Sequence, residues 1–79
     1  MLRDMKSRIV QDPGILCGKP VVRGTRISVE LILRKLGQGV SETAILASYP
    51  HLTRADLRAA VRFAADFVAD ETSLIPAGR

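Results

Sequence analysis

The chain has 79 residues, 12 Lys/Arg against 8 Asp/Glu, and 47% apolar residues with only Tyr49, Phe63 and Phe67 as aromatics. That is one small domain with an aliphatic interior, and a domain of this size buries only about 60% of its unfolded surface. No window approaches the roughly 18 consecutive apolar residues of a membrane helix, Arg3, Asp4, Lys6 and Arg8 break any signal-peptide pattern, and one cysteine closes no internal disulfide. These readings exclude a membrane span and a disulfide framework, place the protein in the cytoplasm, and make a homodimer the expected way to add buried area.

Charge is uneven along the chain. Residues 1–40 carry eight Lys/Arg and three Asp/Glu, a net +5, while residues 41–79 carry four and five, a net −1. A basic half suits a polyanionic partner, because neutralising phosphates releases counterions, though an excess this small also occurs on ordinary soluble domains.

Met1 to Arg8 has no apolar period and reads as a frayed basic arm. Ile9-Val10 is a β-branched pair followed by the turn signal Asp12-Pro13-Gly14. Ile15-Leu16 then leads into Cys17-Gly18-Lys19-Pro20-Val21-Val22-Arg23-Gly24-Thr25-Arg26. Val21 and Val22 favour an extended conformation, and Gly24 supplies the φ freedom of a tight reversal. The expected unit is an antiparallel ribbon over 9–27, Ile9-Val10 against Val21-Val22, lying on helices. Arg23 and Arg26 flank the turn glycine and project from a loop tip; Cys17 is expected as a small buried hydrophobe more than as an exposed thiol.

Ser28 is an N-cap, and Val29, Ile32, Leu33 and Leu36 follow at i, i+3, i+4 and i+7 before Gly37 and Gly39 end the helix. Arg34 and Lys35 complement the dipole of its last turn. Ser41 caps a short second helix over Glu42 to Ser48, which Tyr49-Pro50 closes; Tyr49 is expected to bury its ring and find a partner for its hydroxyl. His51 has no companion ligand and reads as a loop residue. Thr53-Arg54-Ala55-Asp56 approximates a capping box, with Asp in place of Glu or Gln. Leu57, Ala60, Val61, Ala64 and Val68 give the third helix an apolar stripe, and Phe63 and Phe67 a second one beside it. The tail 72–79 holds Leu74-Ile75-Pro76, either disordered or an anchor that orders on a partner.

The residues Asp12-Pro13, Gly18-Lys19-Pro20-Val21-Val22-Arg23-Gly24-Thr25-Arg26-Ile27, Gly39-Val40-Ser41 and Tyr49-Pro50-His51-Leu52-Thr53 occur in an order that resembles the prokaryotic domain of unknown function 433 (DUF433) family, across about Ile9 to Val68. The resemblance implies a mainly α, homeodomain-like three-helix domain (a helix-turn-helix, residues 28–71) with a short N-terminal β-ribbon. It further implies a VapB-type antitoxin that neutralises a PIN-like ribonuclease toxin and represses its own operon.

On that reading the third helix is the recognition helix, with Thr53, Arg54, Arg58 and Arg62 toward DNA and Lys19, Arg23 and Arg26 as further cationic contacts. The alternative for the arginines is solvation, with Arg62 paired to Asp66. Arg23 and Arg26 equally suit a toxin's acidic metal site, and Leu74 and Ile75 a toxin's apolar surface. Asp66, Asp70 and Glu71 make the far end of the helix acidic, so DNA would lie toward Arg54. A protein-only module, a small dimeric adaptor, is the second reading. No paired nucleophile and base, metal-spaced cluster or phosphate loop is present, so neither an enzyme nor a cofactor is expected.

Overall fold

A computed structural model of the protein describes residues 8–72. Leu74 and Ile75, and the arm before Arg8, lie outside the described residues. Strand β1 (Ile9–Gln11) pairs antiparallel with β2 (Pro20–Val22), Ile9 opposite Val22 and Val10 opposite Val21, as the paired β-branched residues predict. Helices α1 (Val29–Gly37), α2 (Glu42–Ser48) and α3 (Arg54–Thr72) follow. The fold is therefore mainly helical, three helices behind a two-stranded ribbon.

Each helix starts where the hydroxyl residues direct. The Ser28 hydroxyl accepts from the Leu31 N–H at 3.0 Å and that of Ser41 from the Ala44 N–H at 3.1 Å. At the end of α1 the Val40 N–H donates to the Lys35 carbonyl and the Gly39 N–H to the Leu36 carbonyl, both at 3.0 Å. This is a Schellman closure, and Gly39 takes the left-handed φ of +89° it requires. Gly37 is the last residue of the helix and not its stop signal.

The start of α3 is a complete capping box. The Asp56 N–H donates to the Thr53 hydroxyl at 3.1 Å, and the Thr53 N–H donates to Asp56 Oδ2 at 3.0 Å. Aspartate closes the box in place of the longer Glu or Gln and is thereby drawn inward, 7% exposed. Its other oxygen accepts from Arg8 Nη1 at 3.2 Å. Both oxygens are satisfied, as a buried carboxylate demands.

The core is aliphatic. Val22, Val29, Ile32, Ile45, Leu52, Leu57 and Ala60 form one buried cluster, with Leu36, Val40, Tyr49 and Phe63 packed around it. Ile9 of β1 packs against the cluster as well, so both strands and all three helices contribute. Three sequence expectations need correction. Val61 and Val68 are 45% and 53% exposed: the buried stripe of α3 follows Leu57, Ala60 and Phe63 and leaves Val61 at its edge, while Val68, on the apolar side, lies beyond the point where the core ends. Tyr49 is half-buried, and its hydroxyl makes no hydrogen bond among the described residues. Cys17 is exposed and not buried. The reason is a 3₁₀ turn, Leu16–Gly18, between the strands, in which Leu16, Cys17 and Gly18 have φ of +50°, +58° and +86°. Two left-handed non-glycine residues in succession cost about 1–2 kcal/mol each. The Ile15 N–H to the Asp12 carbonyl at 2.8 Å and the Gly18 N–H to the Ile15 carbonyl at 3.0 Å hold the turn, with no core behind it.

Because Asp56 serves the helix cap and Arg8 together, Asp56→Ala is expected to destabilise the fold by about 1–3 kcal/mol. Asp66→Ala, on an exposed turn of the same helix, should stay within about 0.5 kcal/mol. Urea unfolding of both variants measures the difference, and equal midpoints would contradict the role given to Asp56.

Candidate nucleic-acid interface

The turn after β2 is built backward from Thr25. Its N–H donates to the Val22 carbonyl at 3.0 Å, its hydroxyl donates to the same carbonyl at 2.8 Å, and the Ile27 N–H donates to that hydroxyl at 2.9 Å. Gly24, third in the turn, has φ of +80°, the value a type II turn needs at that position. Arg23 and Arg26 are therefore exposed on a rigid tip, as their flanking of the glycine predicts.

That tip is fastened to α3. The Arg23 N–H donates to the Arg8 carbonyl at 2.7 Å, and the Arg8 guanidinium meets Asp56 in the first turn of α3. Arg8 and Arg23 thereby join Arg54, the first residue of α3, at one end of the molecule. Arg58 lies one turn further along the helix, and Arg62 two turns. Residues four apart on a helix advance by about 40° around it, so the three sweep across the solvent side instead of lining up. All three are exposed.

Their partners differ. Arg54 Nη1 sits 2.7 Å from Glu42 Oε1, and its Nη2 is 3.5 Å from the Thr43 hydroxyl, which ties the start of α3 to the start of α2. Arg58 and Arg62 form no ion pair among the described residues, so the expected alternative pairing of Arg62 with Asp66 is not made. Thr53 is exposed, and its hydroxyl oxygen is engaged by the helix cap, leaving the O–H proton to donate.

Lys19 is not part of this end. It precedes β2 while Arg23 follows it, a separation of about 13 Å at the rise of an extended strand, and its Nζ lies 3.0 Å from Glu30 Oε1 on α1. Arg34 reaches the other Glu30 oxygen at 3.0 Å. The hydrogen bonds from Lys19 and then Arg34, with their positive charge, hold the Glu30 carboxyl below its ordinary value. Sequence reasoning placed Lys19 with the arginines because it saw only their closeness along the chain. It missed Arg8 and Asp56 as the fastening; the aspartate at the third helical position was the available signal.

Among the described residues no three His, Cys, Asp or Glu side chains stand close enough to hold a metal ion, and no helix is long and apolar enough to cross a membrane.

A family model described as "Protein of unknown function (DUF433)" matches residues 9–64, more than half of the chain. The chain is also similar to a solved structure, the crystal structure of a DUF433 member protein from Anabaena variabilis ATCC 29413 at 2.00 Å resolution. The two share 32% identity with a TM-score of 0.77 over 82% of this chain and 64% of that one. The chain thus spans less than two thirds of that protein's length. No functionally curated protein matches the chain.

The Glu30 arrangement has a pH signature. A carboxylate with a lowered folded pKa stabilises the fold above its unfolded value, near 4.5, and that contribution fades as pH falls through the lower folded value. An NMR titration should find the Glu30 midpoint below 4.5 in the folded protein, moving up in Lys19→Ala and in Arg34→Ala. A midpoint indifferent to both substitutions would remove the two cations as its cause.

Proposed function

The chain belongs to the DUF433 family, and from the arginines gathered at one end of α3 we propose that it is a cytoplasmic DNA-binding antitoxin. In this reading α2 and α3 act as a helix-turn-helix, with α3 as the recognition helix. The protein represses its own operon and neutralises a cognate PIN-like ribonuclease toxin. The observation that carries the DNA part is the chain of contacts from Arg23 through Arg8 to Asp56. It fixes a cationic loop tip beside the N-terminal turn of a helix, where residues of a recognition helix meet base edges.

Roles follow from the partners each residue already has. Arg58, exposed and without an ion pair among the described residues, is the base-reading arginine, since its fork can bond guanine O6 and N7 together. Arg23 and Arg26 contact phosphate and position the helix. Arg54 is a bridge to α2 that also lends charge, because using it on a base would break its pair with Glu42. Arg62 lies two turns in and reaches phosphate. Lys19 has no place on this surface, given its bond to Glu30.

A second reading is favoured by that same Arg54–Glu42 pair and by Asp66 and Asp70 along α3. They reduce the positive field around the helix, as suits a protein-only interaction module. Salt dependence separates the two, because phosphate contact produces a log–log slope of about −0.9 per phosphate and a protein-only module gives none.

Two measurements test the proposal. Fluorescence anisotropy with the DNA upstream of the coding sequence should show Arg58→Ala weakening binding by more than about 1 kcal/mol and relaxing sequence preference. Arg23→Ala should weaken all sequences about equally and lower the salt slope by about 1. Co-expression with the protein encoded beside it should yield a stable complex and relieve that neighbour's toxicity. Absence of salt-dependent DNA binding would overturn the repressor role, and a harmless, non-binding neighbour would overturn the antitoxin role.

A further inference from the structure

Helix α3 outruns the core it helps to build. Ala60 is fully buried, whereas Phe67, two turns later on the same side of the helix, is 61% exposed, and Val68 beside it is 53% exposed. Beneath this overhang is an open apolar groove of about 700 Å³. Its walls include Val29 and Leu33 of α1, Pro20 of β2, and Phe63, Phe67 and Val68 of α3. The volume suits several large side chains and not one.

We propose that the groove receives the α3 overhang of a second copy of this chain. The two overhangs run antiparallel about a two-fold axis, so that the Phe67 and Val68 edge of each groove closes over the other's. Such an interface requires that one chain carry both the projecting part and the recess, and this chain does. Its charges agree. The groove side carries Lys19, Arg34 and Glu30, a net +1, while Asp66, exposed on the overhang, carries −1. Antiparallel docking brings the acidic overhang of one copy to the basic side of the other, so opposite charges surround an apolar centre. The contact lies toward the far end of α3 from Arg8, Arg23 and Arg54, and the inference stands whether or not that end binds DNA.

Sedimentation of the full chain at micromolar concentrations should give twice the chain mass, and Phe67→Asp should weaken the dimer at least tenfold while far-UV circular dichroism stays unchanged. A second test uses two single-cysteine proteins, Cys17→Ser with Phe67→Cys and Cys17→Ser with Leu33→Cys, mixed and oxidised with copper–phenanthroline. The mixed disulfide should exceed both homodisulfides. A monomeric wild type, a dimer indifferent to Phe67→Asp, or cross-linking without the mixed product would each overturn the proposal.

Discussion

The carboxylate of Asp56 is the joint on which the arrangement depends. One oxygen accepts the Thr53 N–H and so closes the start of α3; the other accepts the Arg8 guanidinium and so fixes the ribbon's orientation on that helix. A buried charge costs several kcal/mol to desolvate unless each lone pair finds a donor. Here the donors come from two different elements, so the carboxylate is satisfied only when ribbon and helix are correctly docked. The polar group thus acts less as glue than as a test of registry. The aliphatic cluster beneath it supplies the driving force but little direction, since Val, Ile and Leu pack with many neighbours almost equally well.

From that joint the molecule acquires two unlike ends on a single helix. The first turn of α3 has cations around it, brought by the ribbon tip; its last turns have carboxylates, aromatic surface and a recess. A helix of 19 residues spans about 28 Å, so the two ends are well beyond a Debye length of about 8 Å at physiological salt. Asp66 and Asp70 lie about 18 and 24 Å along the axis from Arg54 and do little to repel a polyanion held there, although Asp66 is only one turn from Arg62. This weakens the objection that a near-neutral C-terminal half makes on charge alone, because local placement and not the sum over residues sets the field a ligand meets.

Much of this was legible in the sequence, and what was legible shares a property: it is local. Ser28, Ser41 and Thr53 cap helices through bonds three residues long, Gly39 closes one through its own φ, and Ile9-Val10 against Val21-Val22 announces a ribbon by pattern. The misses are of other kinds. The left-handed turn at Leu16 and Cys17 defies residue preference and is set by the closure between two strands. Arg8 and Asp56 are 48 residues apart, and no periodicity connects them. Val68 and Phe67 satisfy the helical pattern perfectly and still lie in water, because periodicity reports which side of a helix is apolar and never where its core stops. For the candidate site, Arg23 and Arg26 were readable as a tip from the glycine between them, while the division of the other cations into a fastened Arg54, a diverted Lys19 and an Arg58 without an ion pair among the described residues required the third dimension.

The two proposals constrain each other through the stiffness of α3. If copies join at the overhangs, each recognition end points outward from a two-fold axis, and its distance from that axis is set by a continuous helix and not by a linker. A symmetric dimer of this kind reads a symmetric operator, with half-sites separated by an integral number of helical turns so that both ends face the same side of the duplex. The ribbon tip then defines orientation at each half-site, since Arg23 is bound through Arg8 to the same turn of α3 that would enter the groove. Such a design leaves no independent adjustment between the dimer contact and the DNA contact: a substitution that tilts the overhang moves the reading end with it. If both proposals hold, the physical logic of placing the two surfaces on one rod is that dimerisation would align two salt-sensitive contacts, and their sum, at fixed spacing, would set the affinity.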